Sequence, residues 1–202
     1  HPQNTVVRER VVNLHLKLGH KARAEEHMNK IKELSKPGEL GRKTLGLIYL
    51  RQGRLDESIK ELELIVSAWP EDHKSRYYLA TAYEERGDSK EALEHFRLVK
   101  PESKYWVSAQ MQIAYILHSE KRYDEASKIL EKAIALKKEK IDLYLMLSSI
   151  HEAEKEYKKA IEVVRKGLEQ EEKNVELIYR LGVILDKSGK KASCLDQMKK
   201  VL

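Results

Sequence analysis

Apolar residues follow two alternating helical rhythms along the chain. Leu45, Ile48 and Tyr49 sit at i, i+3 and i+4, and Ile59, Leu62, Ile65 and Val66 continue the i, i+3, i+4, i+7 spacing on a second segment. That period gives each segment one apolar face and predicts a pair of amphipathic helices. Gly53 lies between the segments, and Gly19, Gly87 and Gly189 occupy equivalent places elsewhere. A glycine there predicts a left-handed residue that ends the first helix and turns the chain back. Lys121 and Lys155 hold the same place in two other copies. If they adopt the same backbone, each costs about 1 kcal/mol, because their Cβ crowds the following carbonyl.

The helix pair repeats. Small residues recur at Ala24, Ser58, Ala92, Ala126, Ala160 and Cys194, each 34 residues after the last. Twelve positions before each stand Val12, Gly46, Ala80, Ala114, Ser148 and Gly182. Each of these follows a large aliphatic residue: Val11, Leu45, Leu79, Ile113, Leu147 or Leu181. Met28, Leu62, Phe96, Leu130, Val164 and Met198 hold a further large position, and no insertion breaks the register. The expected division is 5–38, 39–72, 73–106, 107–140, 141–174 and an incomplete 175–202, with residues 1–4 as the tail of an upstream copy. Pro2 falls in register with a terminal proline, and the sixth copy carries no polar capping helix, so an excerpt from a longer array is expected.

These residues resemble the tetratricopeptide repeat (TPR) family. Leu45-Gly46, Tyr49, Gly53, Ser58, Leu62 and Pro70 follow its pattern of large-small, aromatic, Gly, small, large and Pro, and Leu79-Ala80, Tyr83, Gly87, Ala92 and Phe96 follow it again. The resemblance covers essentially the whole chain. There are departures: the family's early Trp position holds Arg8, Arg42, Arg76, Gln110, Tyr144 and Ile178, while Pro37 is one residue late and Pro101 three early. The displaced prolines predict altered loops between copies 1 and 2 and between copies 3 and 4. The resemblance implies an all-α fold, a right-handed α-solenoid whose first helices line a concave groove that binds a partner segment.

Carried over by register, the groove comprises Lys43, Leu47, Lys74, Tyr77, Tyr78, Thr81, Met111, Gln112, Tyr115, His118, Leu145, Met146 and Tyr179. Arg10, Asn13, Lys17 and Arg51 map to the same face at the N-terminal end, and Asp142, Glu152 and Asp186 at the C-terminal end. Tyr and Met suit a binding surface, since Tyr keeps a polar tip and Met adapts its shape. The alternative is that several of these residues pack between neighbouring first helices. The basic-to-acidic trend could orient a bipolar peptide, although scatter of abundant charges accounts for it better. The carboxylate clamp of chaperone-binding members is not matched: its places in the first three copies hold Glu9, Asn13, Thr44, Lys74 and Tyr78, of which only Asn13 and Lys74 fit.

Composition narrows the function classes. Of 202 residues, 36% are charged and 41% hydrophobic, with 9 Gly, 4 Pro and 1 Cys, as expected of long helices with much surface to solvate. The net charge of +6 is shared evenly between the two halves with its signs interleaved, which disfavours a nucleic-acid footprint. No apolar run reaches the roughly 18 residues of a membrane span. A single Cys excludes a disulfide framework and a Cys-based zinc site. His151-Glu152 begins like a zinc-protease motif but lacks its second His, and His151 and His15 both fall at the repeat's aromatic position. Cys194 is expected to be buried and inert between helices.

The expectation is therefore a non-catalytic protein-interaction scaffold without cofactor or metal. Its partner would be a protein or peptide segment, and uncapped solenoid ends would offer a route to homo-oligomers. The lack of disulfides slightly favours the cytoplasm and leaves a bacterial periplasm or envelope open.

Overall fold

A computed structural model describes residues 5–189. They form eleven α-helices: α1 (Thr5–Lys17), α2 (Lys21–Leu34), α3 (Leu40–Arg51), α4 (Leu55–Ala68), α5 (His73–Arg86), α6 (Ser89–Arg97), α7 (Trp106–Ser119), α8 (Tyr123–Leu136), α9 (Ile141–Ala153), α10 (Tyr157–Gln170) and α11 (Val175–Lys187). Cys194, Met198, Lys190, Lys191 and the first four residues lie outside the described residues, as does the second helix expected in the last copy.

Odd-numbered helices end alike. Gly19, Gly53, Gly87, Lys121, Lys155 and Gly189 all have positive φ, between 61° and 96°. After each of the first five, the next amide bonds five residues back: His20 N to His15 O, Arg54 N to Tyr49 O, Asp88 N to Tyr83 O, Arg122 N to Leu117 O and Glu156 N to His151 O, at 2.8–2.9 Å. This is the Schellman closure, which satisfies carbonyls that the helix end would leave open. Lys121 and Lys155 therefore do adopt the strained conformation, with their side chains in solvent.

Each turn folds a helix back on its predecessor, and the small residues set how closely the two approach. Ser58 and Gly46 touch directly, the Ser58 hydroxyl donating to the Gly46 carbonyl at 2.8 Å. A Cβ on Gly46 would lie 2.7 Å from Leu62 Cγ, closer than packed atoms tolerate. Ala80, Ala92, Ala114, Ala126, Ser148 and Ala160 are likewise fully buried.

The chain divides into two compact units, His1–Tyr105 and Trp106–Leu202. In the first, α1 pairs with α2, α3 with α4 and α5 with α6, and α4 also packs on α5. One core cluster joins Val12, Ala24, Met28, Ile31, Leu45, Ile48 and Tyr49. In the second, α7 through α11 pack in sequence and α9 also contacts α7 and α11. Its cluster joins Tyr144, Ala160, Ile161, Val164, Leu177, Leu181, Ile184 and Leu185. Each fully buried Leu or Ile stabilises by roughly 1.5–3 kcal/mol.

Both displaced prolines mark irregular joints. Pro37 lies in the turn from Ser35 to Glu39, where Gly38 takes a φ of 83°. Pro101 accounts for the short α6, which has 9 residues where α2, α4, α8 and α10 each have 14. Proline disfavours helical backbone at the residue before it, so the helix ends early and tightens into bonds from Leu98 N to His95 O and Val99 N to Phe96 O. Val99 remains buried although it has left the helix. Arginine at the family's Trp position bonds to the preceding segment: Arg42 Nε donates to Ser35 O at 3.0 Å and Arg76 Nη2 to Pro70 O at 2.9 Å.

Large and small residues trade places between successive hairpins. A Cβ on Gly167 of α10 would meet Leu177 Cδ1 of α11 at 2.9 Å and Tyr144 Cγ of α9 at 3.1 Å. The equivalent pair one copy earlier is Ala133 and Leu143, and at the α4–α5 junction it is Ile65 and Ser75. Gly167→Ala gains about 1 kcal/mol of helix propensity and meets an overpacking cost of roughly 1–3 kcal/mol, so a net loss is expected in urea unfolding. Leu177→Val in the same chain should reduce that loss. At Lys155 the signs reverse. Replacing the strained Lys by Gly relieves about 1–2 kcal/mol against an entropy cost of roughly 0.5–1 kcal/mol, so Lys155→Gly should raise the unfolding midpoint.

Candidate functional site

The first helices of each unit carry the expected groove residues. In the first, Lys43 forms an ion pair with Asp72, which caps α5 by accepting from Ser75 N at 3.1 Å and Ser75 Oγ at 2.9 Å. Burial alone would raise the Asp72 carboxyl, but the bonds from Lys43 and Ser75 outweigh it and hold the group below the usual carboxylate range. Lys43 is therefore engaged in joining α3 to the start of α5. Leu47 is only 8% exposed, whereas Lys74 is open to solvent.

Tyr77 and Tyr78 are half-buried in an aromatic cluster. Tyr77 lies 5.4 Å from Tyr78, 5.5 Å from Phe96 and 5.4 Å from Tyr105, centroid to centroid, and Tyr78 lies 5.9 Å from Tyr105. Edge and offset contacts at these distances are the favourable arrangements for aromatic quadrupoles. Burial and the neighbouring Tyr78 push the Tyr105 hydroxyl up. Sequence spacing did not single out Tyr105, because it stands in the segment that the early end of α6 rearranges. Thr81 donates within its own helix to Tyr77 O at 3.1 Å.

In the second unit, Tyr115 of α7 and Tyr179 of α11 are 57% and 60% exposed. Met111 and Gln112 on α7 and Met146 on α9 are half-buried, as is Leu145, which packs against the unit's core. Met111, Leu145 and Tyr179 occupy one repeat position on α7, α9 and α11, and Tyr115 lies one helical turn along from Met111. Since α9 contacts both α7 and α11, these residues sit on adjoining first helices. His118 packs on Tyr123 at 5.0 Å. On the same face Glu152 binds both Arg180 and Lys187, so the acidic end of the charge trend is compensated at this carboxylate.

The histidines have local partners. His151 is 5% exposed and its Nδ1 lies 2.9 Å from Glu156 Oε2. Glu154 completes a group whose ligand atoms could close on a cation. However, Lys159 also holds Glu156, at 2.7 Å, and this bond chiefly keeps its carboxyl below the usual range. His15 packs against His20 and His27, with centroids 5.7 and 5.6 Å apart. Burial, then the His27 and His20 charges, lower its affinity for a proton.

A cleft of about 800 Å³ opens beside α1 and α3 at their turn ends, lined among others by Asn13, Lys17, Lys21, Glu25, Arg51 and Arg54. Arg54 bonds Glu25 at 2.8 Å and Glu57 at 2.7 Å, and its guanidinium lies 4.4 Å from the Tyr49 ring centroid. Arg51 donates to Asn13 Oδ1 at 3.2 Å. Asn13, Lys17 and Arg51 belong to the face expected from register, while Lys21, on the second helix, was not foreseen.

Comparison with known proteins places this geometry. Two family profiles, each described as tetratricopeptide repeat, match residues 43–105 and 117–181, together more than half of the chain. No curated protein matches the sequence. Among solved structures, a crystal structure of MamA is 20% identical with a TM-score of 0.61, covering 77% of this chain and 91% of that one. MamA residues 41 to the end from Desulfovibrio magneticus RS-1 is 19% identical with a TM-score of 0.60, over 79% and 90%. The Pseudomonas aeruginosa pilF structure is 11% identical with a TM-score of 0.67, over 96% and 88%. At such identities the likeness is one of fold, an all-α helical-repeat solenoid. With its hairpins closed on one register and both profiles matched, the chain belongs to the tetratricopeptide repeat family.

Proposed function

We propose that the protein is a non-catalytic interaction scaffold that holds a segment of a partner protein against its first-helix face, with copies divided at the boundaries expected from the sequence. The observation that carries this reading is the pair of exposed tyrosines, Tyr115 and Tyr179, on helices that flank α9. Neither ring is needed to fill the core, and between them lie half-buried Met and Leu side chains. Large aromatic anchors beside adaptable apolar residues are the composition of binding hot spots. Tyr77 and Tyr78 supply a more rigid aromatic surface in the first unit, where their cluster already fixes their rings. None of the described helices is long and apolar enough to cross a membrane.

The partner is to be recovered with the intact protein, identified by mass spectrometry and titrated against variants. Tyr115→Ala and Tyr179→Ala should each change stability by no more than about 0.5 kcal/mol, as expected of exposed positions. Together they should weaken the partner by about 2 kcal/mol or more, the loss typical of aromatic anchors. Undiminished capture by the double variant would remove the first-helix face from the binding surface. A large drop in its melting temperature would show that the rings are structural.

A further inference from the structure

The cleft at the turn ends of α1 and α3 is chemically unlike the equivalent places elsewhere in the chain. Its Lys17, Lys21 and Arg51 make no ion pair with any carboxylate among the described residues, whereas Arg54 is already engaged by Glu25 and Glu57. Glu25, the one acidic residue among the described residues lining the cleft, is thus held by Arg54, and Lys17, Lys21 and Arg51 face the same space with no carboxylate of their own. His20 caps α2 with no side-chain hydrogen bond, and the first turn of α2 carries no acidic residue, so its amide ends add to the positive field.

The repeats supply an internal control. The position of Lys17 and Arg51 holds Glu85, Ser119, Ala153 and Lys187 in later copies, and that of Lys21 holds Leu55, Ser89, Tyr123, Tyr157 and Lys191. In copies three, four and five the hairpin folds with neither cation, so folding does not explain their presence here. Gathering like charges around one cleft costs stability until an anion enters it.

We infer that this cleft binds an acidic stretch of the partner segment, with the planar fork of Arg51 donating to a side-chain carboxylate, Lys17 and Lys21 neutralising its neighbours, and Asn13 orienting Arg51. The inference rests on the interaction-scaffold reading and names the partner's chemistry at one end of it. Arginine suits a planar carboxylate because its donors are fixed in one plane, and lysine acts as a point charge. Asn13 alone is shared with the places of the family's carboxylate clamp; Lys17, Lys21 and Arg51 lie outside them. The cleft therefore asks for side-chain carboxylates within a chain and does not require a free C-terminus.

The test uses a fluorescein-labelled hexaglutamate peptide and fluorescence anisotropy on the intact protein. Binding should weaken steeply between about 50 and about 300 mM salt, as screening shortens the reach of the cations. Lys17→Glu with Arg51→Glu should weaken it by about tenfold or more, and the neutral pair Lys17→Gln with Arg51→Gln by less. Lys138→Glu with Lys173→Glu changes two exposed lysines in the second unit and the net charge by the same amount, and should leave binding unchanged. Hexaglutamate carries no aromatic or apolar side chain, so its binding reads the cleft alone, whereas capture of the partner reads the first-helix face, and failure of the one is distinguished from failure of the other. The inference is overturned if the wild type does not bind hexaglutamate, if the distant lysine pair weakens binding as much as the cleft pair, or if inorganic phosphate at equal concentration displaces the peptide.

Discussion

From the second copy to the fifth, the hairpins depend on one contact repeated at a fixed interval: two small residues, one on each helix, that let the backbones approach. Ser58 against Gly46 shows it most directly, with the hydroxyl bonded to the facing carbonyl and no room for a methyl group on Gly46. Such an approach requires the second helix to leave the turn at a set angle. The left-handed residue and the Schellman bond behind it impose that angle. The requirement is strong enough for Lys121 and Lys155 to accept it without being glycine. A turn that strains a lysine is retained because releasing it would separate two buried helix faces.

Between hairpins the constraint is looser and acts on combined size. Gly167 meets Leu177 where Ile65 stands in register with Ser75, so bulk can sit on either side of the junction. This latitude explains how the repeat holds its register while individual residues vary. Pro101 shows where the latitude ends. It shortens α6, yet Val99 still fills its buried place from outside the helix, and the freed segment brings Tyr105 against Tyr77 and Tyr78. An irregularity in the repeat thereby builds an aromatic surface that a perfect copy would lack.

The helices, their turns and the residues of the inner contact were legible in the sequence because each depends on neighbours within one hairpin. Spacing located Gly53 and Lys155 as turn residues and Pro101 as the mark of an altered loop. The binding face was legible only as positions. Whether Lys43 is available to a ligand depends on Asp72 at the start of α5, and whether Glu152 is depends on Arg180 and Lys187 of the following copy. Register brought Leu47 and Tyr115 to the same repeat position, yet one is covered and the other open. Lys21 escaped notice for a related reason: it joins the cleft from a second helix, while the expected surface comprised first helices alone.

The account turns on which face of the hairpins meets a partner, and site-specific photo-crosslinking reads that face directly. p-Benzoylphenylalanine would replace Tyr115, Tyr179 and, as the contrasting site, Glu131 on the exposed side of α8. The account predicts that Tyr115 and Tyr179 crosslink to one and the same protein, with contacts in a single continuous segment of it, and that Glu131 yields no such product. Crosslinks from Glu131 with none from the two tyrosine positions would contradict it.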